Sequence, residues 1–326
     1  MQTSFDVSQT SYFAESKILH YYSLALLNYN LRKVKNMNKI GIFINFWENS
    51  WTVDYFKYIK KASEIGFDVL EFQAQPLIEF SDAKLKEIKS CADEYGIELT
   101  YSLGLDKKYD ISSYDESTRK GGIEYLGKIM DQVHKMDGKI ISGVSYAGWG
   151  VPDYEFEKEK LLENSISAMR ILSKKAEDYG ITYGIEAVNR FEGVIINTAK
   201  EAVSYVDAVG SKNVGVLLDT YHMNIEEANI GEAIRYTGNK LVGFHTGENN
   251  RTAPGRGHLD WDEIFGALKD INFTGRIVSE PFIKMGGEVG RDIYVWRNLH
   301  DDVSESFIDS EAKHLLEFTK KHLRKD

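Results

Sequence analysis

The sequence predicts a single (β/α)8 TIM barrel of the α/β class with an N-terminal extension. Three observations predict it. From Lys39 onward, eight short apolar runs alternate with charged, helix-periodic runs. The apolar runs start 30, 29, 41, 43, 32, 27 and 35 residues apart, and a right-handed parallel βα unit needs about 30 residues or more. Most of the runs are continuously apolar rather than alternating, as in strands covered on both faces. An open doubly wound sheet is the alternative. That fold usually carries a glycine-rich phosphate loop after its first strand, whereas here the first run leads into Asn45-Phe46-Trp47-Glu48-Asn49.

The strands are expected at 39–46, 69–74, 98–103, 139–144, 182–188, 214–220, 241–246 and 276–282. The first helix, 55–66, ends on Gly66, a residue suited to the left-handed position after a helix. The second, 81–96, opens on Ser81 as an N-cap and stops at Gly96. Helices are then expected at 119–136, 156–180, 198–210, 230–238, 259–271 and 309–323. The four prolines, Pro76, Pro152, Pro254 and Pro281, fall at or just after strand ends on the side of the barrel mouth. Proline interrupts central pairing, so each marks where a strand stops or a loop begins.

Composition narrows the function. The 326 residues contain one cysteine, Cys91, which excludes a disulfide framework, a multi-cysteine zinc site and a four-cysteine iron–sulfur cluster. Forty basic residues against fifty acidic ones give a net charge of −10, which disfavours nucleic acid as a partner. Residues 1–36 read as an appended segment, disordered or helical, with the barrel occupying 37–326. The segment's most apolar stretch, 18–31, is too short to span a bilayer. Arg32, Lys33 and Lys35 follow that stretch and no A-x-A site appears, unlike a secretory signal. The expectation is a cytoplasmic protein without a membrane partner. The extension holds four basic and two acidic residues, so 37–326 carries 36 basic and 48 acidic residues, a net −12.

Barrels place their chemistry at the C-terminal ends of the strands. There the fifth to eighth strands carry Glu186, Asp219, His245 and Glu280 within apolar runs. Their spacing follows the βα repeat, so they are expected at one height around half of the mouth. Three acids and a histidine that converge need a cation, because like charges so close cannot all stay ionised. This oxygen-rich set suits a borderline-hard divalent ion, Mn²⁺, Co²⁺ or Mg²⁺. Further candidates at the mouth are Glu192, His222 and Arg251, with the aromatics Trp47, Trp149 and Phe43. Polar groups beside aromatic faces are what a sugar site needs. Taken singly, each has a plainer reading as a core, loop or packing residue.

At these residues the sequence resembles the ketose 3-epimerases, the family of D-tagatose 3-epimerase and D-psicose (D-allulose) 3-epimerase, whose barrel is xylose isomerase-like. The resemblance covers about 37 to 323. It is carried by IEAVNRFEG, LLDTYHMNIEE, HTGENNR followed by PGRG, and SEPFIKMGGEVG followed by VWR. It implies one divalent ion, commonly Mn²⁺ or Co²⁺, on Glu186, Asp219, His245 and Glu280. It further implies Glu186 and Glu280 as the catalytic pair, Glu192, His222 and Arg251 as substrate contacts, and Trp149 near the substrate. The implied reaction is C3 epimerisation of a small free ketose, of the D-psicose/D-fructose or D-tagatose/D-sorbose type. It passes through a cis-enediolate, with two glutamates exchanging acid and base roles. A homodimer or homotetramer is implied as well.

The sequence departs from the family at the distal end of the pocket. Phe43 and Ile44 stand where psicose-type relatives usually carry tyrosines. Gly104-Leu105 replaces a Gly-Pro pair, and Gly148 replaces an aromatic. The alternatives on the same barrel are an aldose–ketose or hydroxypyruvate-type isomerase, or a sugar-binding barrel without activity.

Overall fold

A computed structural model describes residues 38–324. The expectations for 1–36 lie outside the described residues. Eight parallel strands close in sequence order: β1 (Lys39–Phe43), β2 (Val69–Gln73), β3 (Glu98–Gly104), β4 (Ile140–Val144), β5 (Thr182–Ala187), β6 (Val214–Asp219), β7 (Leu241–Thr246) and β8 (Arg276–Ser279). Closure is made by β1 against β8, with Ile40 opposite Ile277 and Ile42 opposite Ser279. The apolar runs end up buried on both faces, wholly so in β4 and β6. That is why they lack strand-like alternation in the sequence.

The helices between the strands are α1 (Tyr55–Ile65), α2 (Asp82–Glu94), α3 (Glu116–Lys135), α4 (Lys158–Tyr179), α5 (Ala199–Val209), α6 (Thr220–Glu226), α7 (Ile230–Thr237) and α8 (Trp261–Asp270). After β8 come α9 (Gly287–Asp292) and α10 (Glu305–Arg324). Capping decides several boundaries. Ser81 accepts from the Lys84 amide, and Thr198 forms a reciprocal capping box with Glu201. Gly66 ends α1 at φ 104°. Asp115 caps α3 through Thr118, which starts that helix three residues earlier than expected.

The structure corrects the sequence reading at further places, and β8 ends at Ser279 rather than 282. Residues Ile44–Phe46 leave the strand as a turn of 3-10 helix. Helix α10 begins at Glu305 rather than 309. The short helices α6 and α9 were not expected, because neither is long enough to show helical periodicity. The prolines stand as expected, after β2, β4, β7 and β8. Among the described residues, no helix is long and apolar enough to cross a membrane.

Candidate active site

The four strand-end ligand candidates converge. Glu186 is in β5, Asp219 closes β6, His245 is in β7, and Glu280 follows β8 with its amide bonded to the Thr246 carbonyl. Glu186 is level with Leu217, Asp219 with His245, and His245 with Val278. Three steps round the barrel thus advance four residues along the strands. A shear of about 8 over eight strands requires roughly one residue per step to hold a constant height. One potential ligand atom from each of the four side chains lies within 4.8 Å of the others.

Each group is held by its local structure. Asp219 caps α6, with Oδ1 accepting from the amides of Tyr221 at 2.6 Å and His222 at 3.3 Å. His245 Nε2 faces Glu71 Oε1 at 2.9 Å, and its Nδ1 lies 3.4 Å from Glu280 Oε2. His245 Nδ1 and Glu186 Oε1 are both buried without a hydrogen-bond partner. Two electron-pair donors withheld from every protein donor, inside a ring of carboxylates, are what a cation would occupy.

The electrostatics agree. Burial, then the Glu280 charge, raise the Glu186 carboxyl well above the usual carboxylate range, and His245 only partly offsets them. Burial alone would lower His245, yet the Glu71 and Glu280 carboxylates hold it well above an ordinary imidazole. Crowded anions of this kind are relieved by a divalent cation. The residues therefore fit a metal ion.

Beside this cluster lies a second polar network. Arg251 sits 3.2 Å from Glu192, its guanidinium 4.3 Å over the Tyr221 ring. Burial works against the Glu192 charge, but the Arg251 charge and the Asn189 side-chain hydrogen bond outweigh it and hold the carboxyl below its ordinary range. Burial keeps His222 below an ordinary imidazole, hence neutral. Its Nδ1 accepts from the Asn189 amide at 3.2 Å, leaving Nε2 as the N–H, 3.6 Å from Glu186. Arg251 has φ 64°, a left-handed conformation uncommon outside glycine. The loop that holds it there is tied to Glu248, whose Oε1 accepts from the Gly255 amide and the Trp261 indole, both at 2.7 Å. Gly257 lets the chain pass over that carboxylate, since a Cβ there would lie 2.4 Å from Glu248 Oε2.

Both networks open into one cavity of about 850 Å³, lined among others by Glu186, Glu192, His222, Arg251, Glu280, Trp149 and Gly104. That volume falls within the roughly 300–1,000 Å³ of small-molecule sites. The Trp149 ring lies against Gly104, where a Cβ would sit 3.1 Å from it.

Residues 59–299 match the model of the xylose isomerase-like TIM barrel family. The chain is 42% identical over 284 residues to the D-psicose 3-epimerase of Ruminiclostridium cellulolyticum, covering 86% of this chain and 97% of the relative. It is 40% identical over 284 residues to that of Agrobacterium fabrum, covering 86% and 98%. The chain belongs to the ketose 3-epimerase family. That makes it an enzyme of the epimerase group of isomerases. A solved D-psicose 3-epimerase with D-tagatose, from Clostridium cellulolyticum, superposes with a TM-score of 0.86 at 42% identity. The match covers 87% of this chain and 99% of that one.

Within this ketose 3-epimerase barrel, Glu186, Glu280, Glu192, His222, Arg251, Trp149 and Gly104 line one cavity, Asp219 and His245 stand beside it in the ligand cluster, and two expected residues lie apart. Phe43 does not line the cavity. It is buried edge-on to Phe282, which does line it, at 5.8 Å between ring centroids. Trp47 stacks on Tyr58 at 5.3 Å and bonds Asp309, away from the cavity wall. Glu71, Asn189 and Glu248 were not singled out. Glu71 gave the same signal as Glu186, an acid inside an apolar strand, but it lies mid-strand rather than at the strand end.

Proposed function

We propose that the protein inverts C3 of a free ketose, of the D-psicose/D-fructose or D-tagatose/D-sorbose type, with one bound divalent cation. The observation that carries the proposal is the convergence of Glu186, Asp219, His245 and Glu280 at a cavity of sugar-binding size. The kinship to D-psicose 3-epimerases supports it. Held by these four side chains, Mn²⁺, Co²⁺ or Mg²⁺ would supply Lewis-acid stabilisation of the negative charge that develops on the ketose oxygens.

The chain's own residues do the rest. One of Glu186 and Glu280 takes the C3 proton as a carboxylate. The other, as the acid, returns a proton to the opposite face, and the two exchange roles in the reverse direction. Neutral His222 offers its Nε2–H, and the Glu192–Arg251 pair offers an acceptor and a donor, so the sugar hydroxyls are held in register. Trp149, seated on Gly104, forms an apolar wall for the C–H face of the sugar.

The same reading takes 37–326 as the catalytic unit and 1–36 as an appended segment. It makes the protein a cytoplasmic homodimer or homotetramer, in line with the family resemblance. Product analysis from D-fructose with Mn²⁺ or Co²⁺, and again with chelator, tests the function. D-psicose formed only with metal is expected, and an aldose product would mean isomerisation instead. Glu280→Gln should cut turnover by orders of magnitude while circular dichroism shows an intact fold. Near-wild-type turnover in that variant would contradict the assignment.

A further inference from the structure

We propose that Glu71 is a positioning residue for the metal centre. It fixes the tautomer and ring orientation of His245, so that Nδ1 presents its lone pair to the ion. The proposal rests on the reading of Glu186, Asp219, His245 and Glu280 as the ligand set.

Glu71 lies at the middle of β2 and His245 in β7, and β1 and β8 stand between those strands. The Glu71 side chain therefore reaches His245 through the barrel interior rather than from a neighbouring strand. Both residues are about 1% exposed. Glu71 Oε1 meets His245 Nε2 at 2.9 Å. Its Oε2 accepts from the Thr100 hydroxyl at 2.8 Å, and Thr100 is the register partner of Glu71 on β3. Thr100 thus anchors one carboxylate oxygen, and the other, buried without a hydrogen-bond partner of its own, is left facing the His245 ring.

An ionised carboxylate only accepts hydrogen bonds, so the imidazole nitrogen facing it must carry the proton. In a neutral ring that leaves Nδ1 as the lone-pair nitrogen. Nδ1 is the His245 atom that is buried without a hydrogen-bond partner, on the side of Glu186, Asp219 and Glu280. The opposite tautomer would aim an N–H into the ligand ring. A buried acid costs stability unless it is partnered, and an apolar side chain would fill β2 without that cost. Orienting carboxylates behind metal-bound histidines typically contribute about 10- to 100-fold in metal affinity.

The full-length protein, stripped with chelator and titrated calorimetrically with cobalt chloride, tests the proposal. Glu71→Leu removes the acceptor and should weaken cobalt binding by about 10- to 100-fold. Glu71→Gln keeps an amide oxygen for the Nε2–H and should lose less. Long-range ¹H–¹⁵N spectra of the metal-free protein, taken at a pH alkaline enough to leave the ring neutral, should show His245 as the Nε2–H tautomer in the wild type and in Glu71→Gln. A purely structural Glu71 would lower the melting temperature of Glu71→Leu but leave its cobalt affinity at the wild-type value, and that result would overturn the proposal. If Glu71→Leu does not fold, an Nδ1–H tautomer in the wild type overturns it equally. Wild-type protein that binds no cobalt, or binds it no better than Asp219→Asn, would remove the ligand-set reading itself and Glu71's role with it.

Discussion

Gly104 shows how much the site depends on one missing carbon. A Cβ at that position would sit 3.1 Å from two atoms of the Trp149 ring, tighter than ordinary van der Waals contact. The indole would have to give by a few tenths of an ångström, and it forms one wall of the cavity. Gly104→Ala should raise KM for the ketose several-fold with a smaller change in kcat, because the proposed role of the displaced group is to wall the sugar, not to handle the proton. Steady-state kinetics on D-fructose checks this, and an unchanged KM would show that the ring has room to move. At this scale the chemistry was legible wherever a polar residue broke an apolar strand at its end, as Glu186, Asp219 and His245 do. Phe43 does not reach the cavity, because distance from a strand end does not decide which side chain stands in front. Phe282 stands in front of it. The pairing of Glu71 with His245 could not be read at all, because it joins strands distant in sequence across the barrel interior.

At the scale of the element, the end of the barrel opposite the site is held by charge. Glu98 opens β3, Lys39 opens β1 and Arg276 opens β8. Glu98 Oε2 meets Lys39 Nζ at 2.6 Å, and its Oε1 accepts from Arg276 Nε at 2.7 Å. Burial pushes the Glu98 carboxyl up, but Lys39 and Arg276 outweigh it and hold the group below its ordinary value of 4.5. A carboxyl depressed on folding contributes its full stabilisation above the unfolded value and loses it as the pH falls toward the lower folded one. Glu98→Gln should therefore be less stable by about 1 kcal/mol near neutral pH, the modest figure that solvent screening allows. The gap should shrink as the pH drops below 4.5. Urea titrations of both proteins across that range check it, and a gap that widens in acid would contradict it. The start of α2 was legible from its Ser81 cap, whereas the Asp115 cap of α3 stands ahead of the apolar periodicity and was passed over. A short helix that follows directly from a strand, as α6 does from Asp219, was not legible.

For the whole molecule, the order and closure of eight βα units followed from their alternation and spacing and from the missing glycine-rich loop, because the connection rules leave few other arrangements. The relatives align over 284 residues, 86% of this chain but nearly the whole of each relative. A chain beginning at Met37 should therefore fold and keep its activity, with a melting temperature within a few degrees of the full-length protein. Thermal unfolding and turnover measured side by side check this. A truncated chain that aggregates would make the extension part of the folded unit. The claim on which the rest depends is proton removal at C3. D-fructose incubated in D₂O with the metal-loaded protein, followed by NMR of the recovered sugars, tests it most directly. Deuterium at C3 of both D-fructose and D-psicose is the predicted result. Deuterium at C1, or an aldose in place of D-psicose, would contradict it.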